Sequence, residues 1–234
     1  MDVPRAAAIG AFAGSRSRPV LIAHAAGNSP ADLQAALTSS PDLVEVDLWV
    51  HSGRFEARHE RRVAGVPLLF EKWYLRFAPR HPFGLDDLIA AVAGRAGLFL
   101  DLKNDGEGAA ILIRHALAAA EVPPRIVASA QQWAILRAVA RVVPELDLFY
   151  SVDVQAKLDL FLAVEERDTR PRGISCNHEL LTRERVQELK RRDLAVVAWT
   201  VDDPERAAEL VSWGVDGLTT GSLAALRSAL RSSP

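Results

Sequence analysis

Eight short apolar runs, each followed by a polar or amphipathic stretch, limit what this chain can fold into. They are Val20 to His24, Leu43 to Trp49, Leu98 to Leu102, Arg125 to Ala128, Leu146 to Ser151, Gly173 to Ser175, Ala195 to Val201 and Gly217 to Thr219. Runs of this length and composition read as buried strands. The segments between them carry helix start signals: Ser29-Pro30, Ser129 with Gln132 at capping-box spacing, Thr182, and Asp203-Pro204 with proline at the first helical position. Gly214 closes the helix that Pro204 opens. Strict strand-then-helix alternation predicts an α/β fold of the (β/α)8 TIM-barrel type, whose strands deliver their C-terminal ends to one face. With 234 residues, half of them hydrophobic, a single large core is attainable. No linker or repeat interrupts the pattern, so residues 18–234 are expected to form one domain, with residues 1–17 a leader outside it.

The second strand, Leu43-Val-Glu-Val-Asp-Leu-Trp49, carries Glu45 and Asp47 two residues apart. Side chains on a strand alternate faces, so the two carboxylates aim at one place. Burying like charges together is unfavourable unless a cation or proton compensates, and a divalent metal is the simplest compensation. Two histidines flank the pair: His24 ends the first strand, and His59 follows a return through the Ser52-Gly53 turn. The third strand ends in Asp101-Leu-Lys103, an acid and an ammonium again sharing a face. Thr200 lies near the end of another strand. Polar residues collected at the ends of apolar strands give a soluble fold no stability, which points to function.

Other features are bland. The net charge of -2 offers no electrostatic reason to propose nucleic acid or an anionic membrane as partner. Cys176 is the only cysteine, excludes an internal disulfide, and reads as a small buried residue compatible with a reducing, cytoplasmic setting. No apolar run approaches the roughly 20 residues of a membrane span. The Ala6 to Ala13 stretch is not expected to be a cleaved secretion signal, because it is short, rich in Ala and Gly, and preceded by a single arginine. Between Glu60 and Gly84 lies an irregular segment holding Trp73, Tyr74, Phe77, His81 and Phe83, expected to pack as a loop. His51 and His115 read as surface or packing residues, Arg191 and Arg192 as a solvated helix end, and His178 as facing the same end as the site.

The opening I-A-H24, the E45-V-D47 pair, the return to His59, D101-L-K103, W199-T-V-D-D-P and G214-V-D-G-L together resemble the glycerophosphodiester phosphodiesterase superfamily. The resemblance implies a (β/α)8 barrel that binds one divalent cation, Mg2+ or Ca2+, and cleaves small phosphodiesters. It implies metal ligation by Glu45, Asp47 and Asp101, acid and base work by His24 and His59, phosphate contact by Lys103, and a pocket wall at Trp199. The chain departs from the family pattern in several places. His24 is followed by Ala25-Ala26-Gly27-Asn28, without the usual arginine; the third acid is Asp101 and not glutamate; Glu60 follows His59 in place of aspartate. Arg61 or Arg62 is expected to supply the missing phosphate contact, or else backbone donors at Gly27 and Asn28. These departures also resemble the sphingomyelinase D branch of the same barrel, which removes phospholipid headgroups. A barrel that binds phosphate esters without turning them over is the third reading.

Overall fold

A computed structural model describes Phe12, residues 18–164 and residues 171–232. The leader expectation for residues 1–17 therefore lies outside the described residues, Phe12 excepted. Strands β1 (Val20–Ala23), β2 (Leu43–His51), β7 (Gly97–Leu102), β8 (Ile126–Ala130), β9 (Asp147–Val152), β10 (Gly173–Asn177), β11 (Ala195–Trp199) and β12 (Gly217–Thr220) correspond one for one to the eight apolar runs. They pair in the order β1-β12-β11-β10-β9-β8-β7-β2, all parallel, and the β1–β2 pairing closes the barrel. Helices α1 (Pro30–Thr38), α2 (Leu85–Val92), α3 (Gly106–Ala119), α4 (Trp133–Val142), α5 (Gln155–Val164), α6 (Arg183–Arg191), α7 (Pro204–Trp213) and α8 (Leu223–Ser232) lie between the strands or after the last.

Alternation along each strand produces two apolar layers. Outward side chains such as Val44, Val46, Leu98 and Leu100 pack against the helices. Inward ones from the lower part of the barrel, namely Val20, Ile22, Leu43, Phe99, Val127, Phe149, Ala195 and Val197, fill the interior together with Phe12. Phe149 stacks on Phe12 and Phe99 at centroid distances of 4.9 and 5.8 Å. Each such side chain contributes about 1.5–3 kcal/mol through burial, so the lower barrel is a solid plug.

The start signals at Ser29, Thr182 and Asp203 are true caps: their side chains accept from the backbone N–H of Asp32, Arg185 and Glu205. Gly214 takes the left-handed conformation at φ 100°, as the end of α7 requires. Ser129 does not cap a helix. It lies within β8, buried and paired in register with Asp101, and α4 starts four residues later at Trp133 with no side-chain cap. Barrel pairing needs this position extended, and tertiary context outweighs the local capping preference.

Residues 61–77 also correct an expectation. They form a small antiparallel sheet of β4 (Arg61–Arg62), β5 (Leu68–Glu71) and β6 (Tyr74–Phe77), outside the barrel. Before it, β3 (Arg54–Ala57) runs antiparallel to the end of β2. Phe83 packs against the core as expected, but the aromatics of the sheet do not: Trp73 is 95% exposed and Phe77 77%. Ion pairs tie the sheet to its base instead. Arg62 donates to buried Glu56, which also holds Arg58, and Arg76 pairs with Glu60.

Candidate active site

Two residues beyond the apolar plug, the inward positions turn polar. On β2 the order is Leu43, Glu45, Asp47; on β7 and its exit it is Phe99, Asp101, Lys103. Register sets Asp47 beside Asp101 and Asp101 beside Ser129. The result is a cavity of about 150 Å³ lined by His24, Glu45, Asp47, His59, Asp101, Lys103, Ser129 and Trp199, with Gln131, Ser151, Ser175 and Thr219 on the other strands and Phe99 as floor. One carboxylate oxygen from each of Glu45, Asp47 and Asp101 lies within 4.8 Å of the others.

The loop after β1 is built around this cluster. His24 donates its backbone N–H to Thr220 at 2.9 Å, and the Ala25 N–H donates to a Glu45 oxygen. Gly27 lets the loop press on β2, since a Cβ there would meet the Val46 Cβ at 2.6 Å. That approach seats Asn28 so that its Nδ2 donates to Asp47 Oδ2 at 2.7 Å while its Oδ1 accepts from the Asp47 N–H at 2.9 Å. The Asn28 side chain thus orients a carboxylate, and Asn28 is not among the cavity-lining residues.

Lys103 bridges the acids, with Nζ 2.6 Å from Asp47 Oδ1 and paired also to Asp101. Burial alone would lower its pKa, but Asp101 and Asp47 outweigh burial and raise it, so the ammonium stays charged. Burial pushes the Glu45 carboxyl well above its usual range, and the charges of Asp47 and Asp101 push it further. Asp101 is raised as well, by burial first, with Lys103 opposing. With all three carboxyls ionised, one ammonium leaves an excess of two negative charges, the amount a divalent cation would neutralise. The donor set is all oxygen, which fits Mg2+ or Ca2+ better than zinc.

The two histidines differ. His24 is exposed at the cavity rim, yet partial desolvation of its imidazole lowers its pKa against the pull of Asp47 and Asp202, favouring the neutral form. His59 is 57% exposed, and its Nδ1 lies 2.8 Å from Glu71 Oε1 of the small sheet. That contact uses Nδ1 and leaves Nε2 available.

Neither Arg61 nor Arg62 lines the cavity. Arg62 is spent on Glu56 at 2.8 and 3.1 Å, and Arg61 is exposed in β4. Thr200 and His178 are likewise not among the lining residues; His178 accepts from Arg206 on α7 at 3.4 Å. His115 is exposed, Arg192 donates to Glu188 and the Leu162 carbonyl, and Cys176 is buried with its thiol pushed up to about 12 by burial. Sequence reasoning missed Ser129, Ser151, Ser175, Thr219 and Glu71. The hydroxyls were findable, because each lies two residues beyond an apolar or glycine position that also faces inward; Glu71 was not, since its place depends on how the small sheet folds back.

Residues 109–224 match the Glycerophosphoryl diester phosphodiesterase family. No curated protein matches the chain. Among solved structures, one from Silicibacter pomeroyi DSS-3 is 17% identical and superposes with a TM-score of 0.76, covering 93% of this chain and 95% of that one. A phosphodiesterase from Oleispira antarctica, solved with the product sn-glycerol-3-phosphate, is 18% identical, covering 92% and 97%, with a TM-score of 0.73. A glycerophosphodiester phosphodiesterase from Parabacteroides distasonis ATCC 8503 is also 18% identical, with the same coverages and a TM-score of 0.74. At such identities the structural likeness speaks for the fold.

Barrel and family match together define a phosphodiesterase-type (β/α)8 hydrolase. The family match spans just under half of the chain, and the whole barrel is similar in fold to solved glycerophosphodiester phosphodiesterases. The matched segment contains Trp199 but none of His24, Glu45, Asp47, His59, Asp101 or Lys103, so the roles of those six rest on geometry.

Proposed function

We propose that the chain is a metal-dependent phosphodiester hydrolase acting on glycerophosphodiester-like or lysophospholipid-like substrates, with His24 and His59 as its acid-base pair. The observation that carries this reading is the cluster of Glu45, Asp47 and Asp101 in one cavity with both imidazoles. A divalent cation held by the three carboxylates would neutralise charge growing on the phosphoryl oxygens. Lys103 keeps Asp47 and Asp101 in place and adds fixed positive charge beside them. His24, biased to the neutral form, takes the proton from the attacking hydroxyl. His59, oriented by Glu71, delivers a proton to the departing alkoxide. Trp199 forms one wall for the substrate.

The fold likeness to the Oleispira antarctica enzyme, which holds sn-glycerol-3-phosphate, supports a small glycerophosphoryl group as the shared part of the substrate. A panel of glycerophosphodiesters, lysophospholipids, sphingomyelin and aryl phosphodiesters, assayed with Mg2+ and with Ca2+, tests the reading. Metal-dependent release of an alcohol from a glycerol-containing member is expected. Release from none would leave a phosphate-ester binder, and choline release from sphingomyelin with none from the glycerol-containing members would place the chain with headgroup-cleaving enzymes.

A further inference from the structure

The small sheet has its polarity inside out. Cross-strand partners share a face, so Arg62, Leu69 and Arg76 form one side, continued by Glu71 and Tyr74. That side is turned to the barrel: Leu69 is fully buried, Arg62 reaches Glu56, Arg76 and Tyr74 reach Glu60, and Glu71 reaches His59. The other side carries Leu68, Phe70, Leu75 and Phe77, with Arg61 opposite Phe70. Phe70, Leu75 and Phe77 are 45, 61 and 77% exposed, and Trp73 at the β5–β6 turn is 95% exposed. Val63 and Val66 add exposed apolar surface in the β4–β5 connection.

A contiguous apolar face of this kind on a soluble fold marks a surface that meets a partner. The chemistry around it selects the partner. Arg61, Lys72 and Arg80 are exposed and make no ion pair among the described residues. Aromatic and leucine side chains beside unpaired cations match the boundary of an anionic bilayer, where rings sit at headgroup depth and cations meet lipid charge. The net charge of -2 conceals this local excess. A second copy of the chain would set the same unpaired cations against each other, which disfavours self-association.

We propose that the outward face of the β4–β6 sheet docks on the surface of an anionic phospholipid bilayer. The sheet is joined to the cavity through Glu71 and His59, so docking would hold the catalytic mouth close to the lipid surface. Docking does not depend on turnover, and binding to vesicles is what decides it.

The test is co-sedimentation of the full chain with vesicles of phosphatidylcholine alone, or with roughly one third phosphatidylglycerol. Partitioning onto the anionic vesicles should exceed that onto the neutral ones by about tenfold at low salt and weaken as salt screens the charges. The double variants Trp73→Ala/Phe77→Ala and Lys72→Glu/Arg80→Glu should each lower it by about tenfold, with melting temperature and hydrolysis of a soluble aryl phosphodiester unchanged. Three results would overturn the proposal: no wild-type partitioning, partitioning that neither double variant lowers, or a concentration-dependent dimer that Trp73→Ala abolishes.

Discussion

The barrel mouth and the β4–β6 sheet break the ordinary rule of burial in opposite directions. At the mouth, Glu45 and Asp47 are buried at 7 and 4% exposure, and Lys103 balances only part of the charge. On the sheet, Trp73 and Phe77 stand in solvent. Neither arrangement helps the isolated chain fold: the first costs desolvation and repulsion, and the second forgoes burial. Each is intelligible as half of a contact, the mouth with a cation and a phosphoryl group, the sheet with an apolar surface. Violations that face inward toward a cavity thus predict a small ligand, and those that face outward predict a large one.

The largest effect should come from emptying the mouth of metal. Chelation should reduce hydrolysis to background, and added Mg2+ or Ca2+ should restore it; isothermal titration of the chelated protein that detects neither ion at millimolar concentration would break the inward half of the comparison. Next, His24→Ala and His59→Ala should each lower kcat by about 10²- to 10⁴-fold, with cation affinity little changed in the same titration. A large loss of cation affinity in either variant would make that imidazole a ligand.

A smaller effect separates the two imidazoles. With burial lowering the His24 pKa, the base stays neutral to a lower pH than a free imidazole, so the acid limb of kcat/KM should lie below the ordinary value of about 6.5. A limb above that value would assign the base elsewhere. Glu71→Gln keeps the shape of the sheet but removes the carboxylate at His59 Nδ1, and should cost about 10-fold or more in kcat with KM nearly unchanged. If kcat holds, the sheet contributes nothing to the chemistry, and the two regions are functionally separate.

The smallest effect is the sharpest contrast. Trp73→Ala should shift stability by less than about 0.5 kcal/mol, because so little of the side chain is buried, whereas Phe149→Ala in the plug should cost about 3–5 kcal/mol. Thermal melts of the two variants side by side provide the check; a strongly destabilised Trp73→Ala would mean that the sheet packs where this structure shows it open.

Much of the barrel could be read from the chain because its information is local. Period-two alternation within Leu43 to Trp49 and Gly97 to Lys103 already sorts Glu45, Asp47, Asp101 and Lys103 onto inward faces, and caps at Ser29, Thr182 and Asp203 mark where helices begin. The same alternation would have exposed Ser129, Ser151 and Ser175, had each strand been followed two residues past its last apolar position. The Ser129 capping signal misled because strand pairing with β7 overrides a weak local preference.

Sequence by itself therefore determined the eight strands, their inward polar tips, the two histidines and the three carboxylates that gather at the mouth. Tertiary structure alone decided who meets whom. Lys103 bridges Asp47 and Asp101, Asn28 holds Asp47, Arg62 is consumed by Glu56, Glu71 orients His59, and Trp73 and Phe77 face out. The physical reason is reach: a strand's period fixes where a side chain points from its own backbone, but a contact between residues far apart in the chain depends on barrel closure and register, which no local pattern encodes.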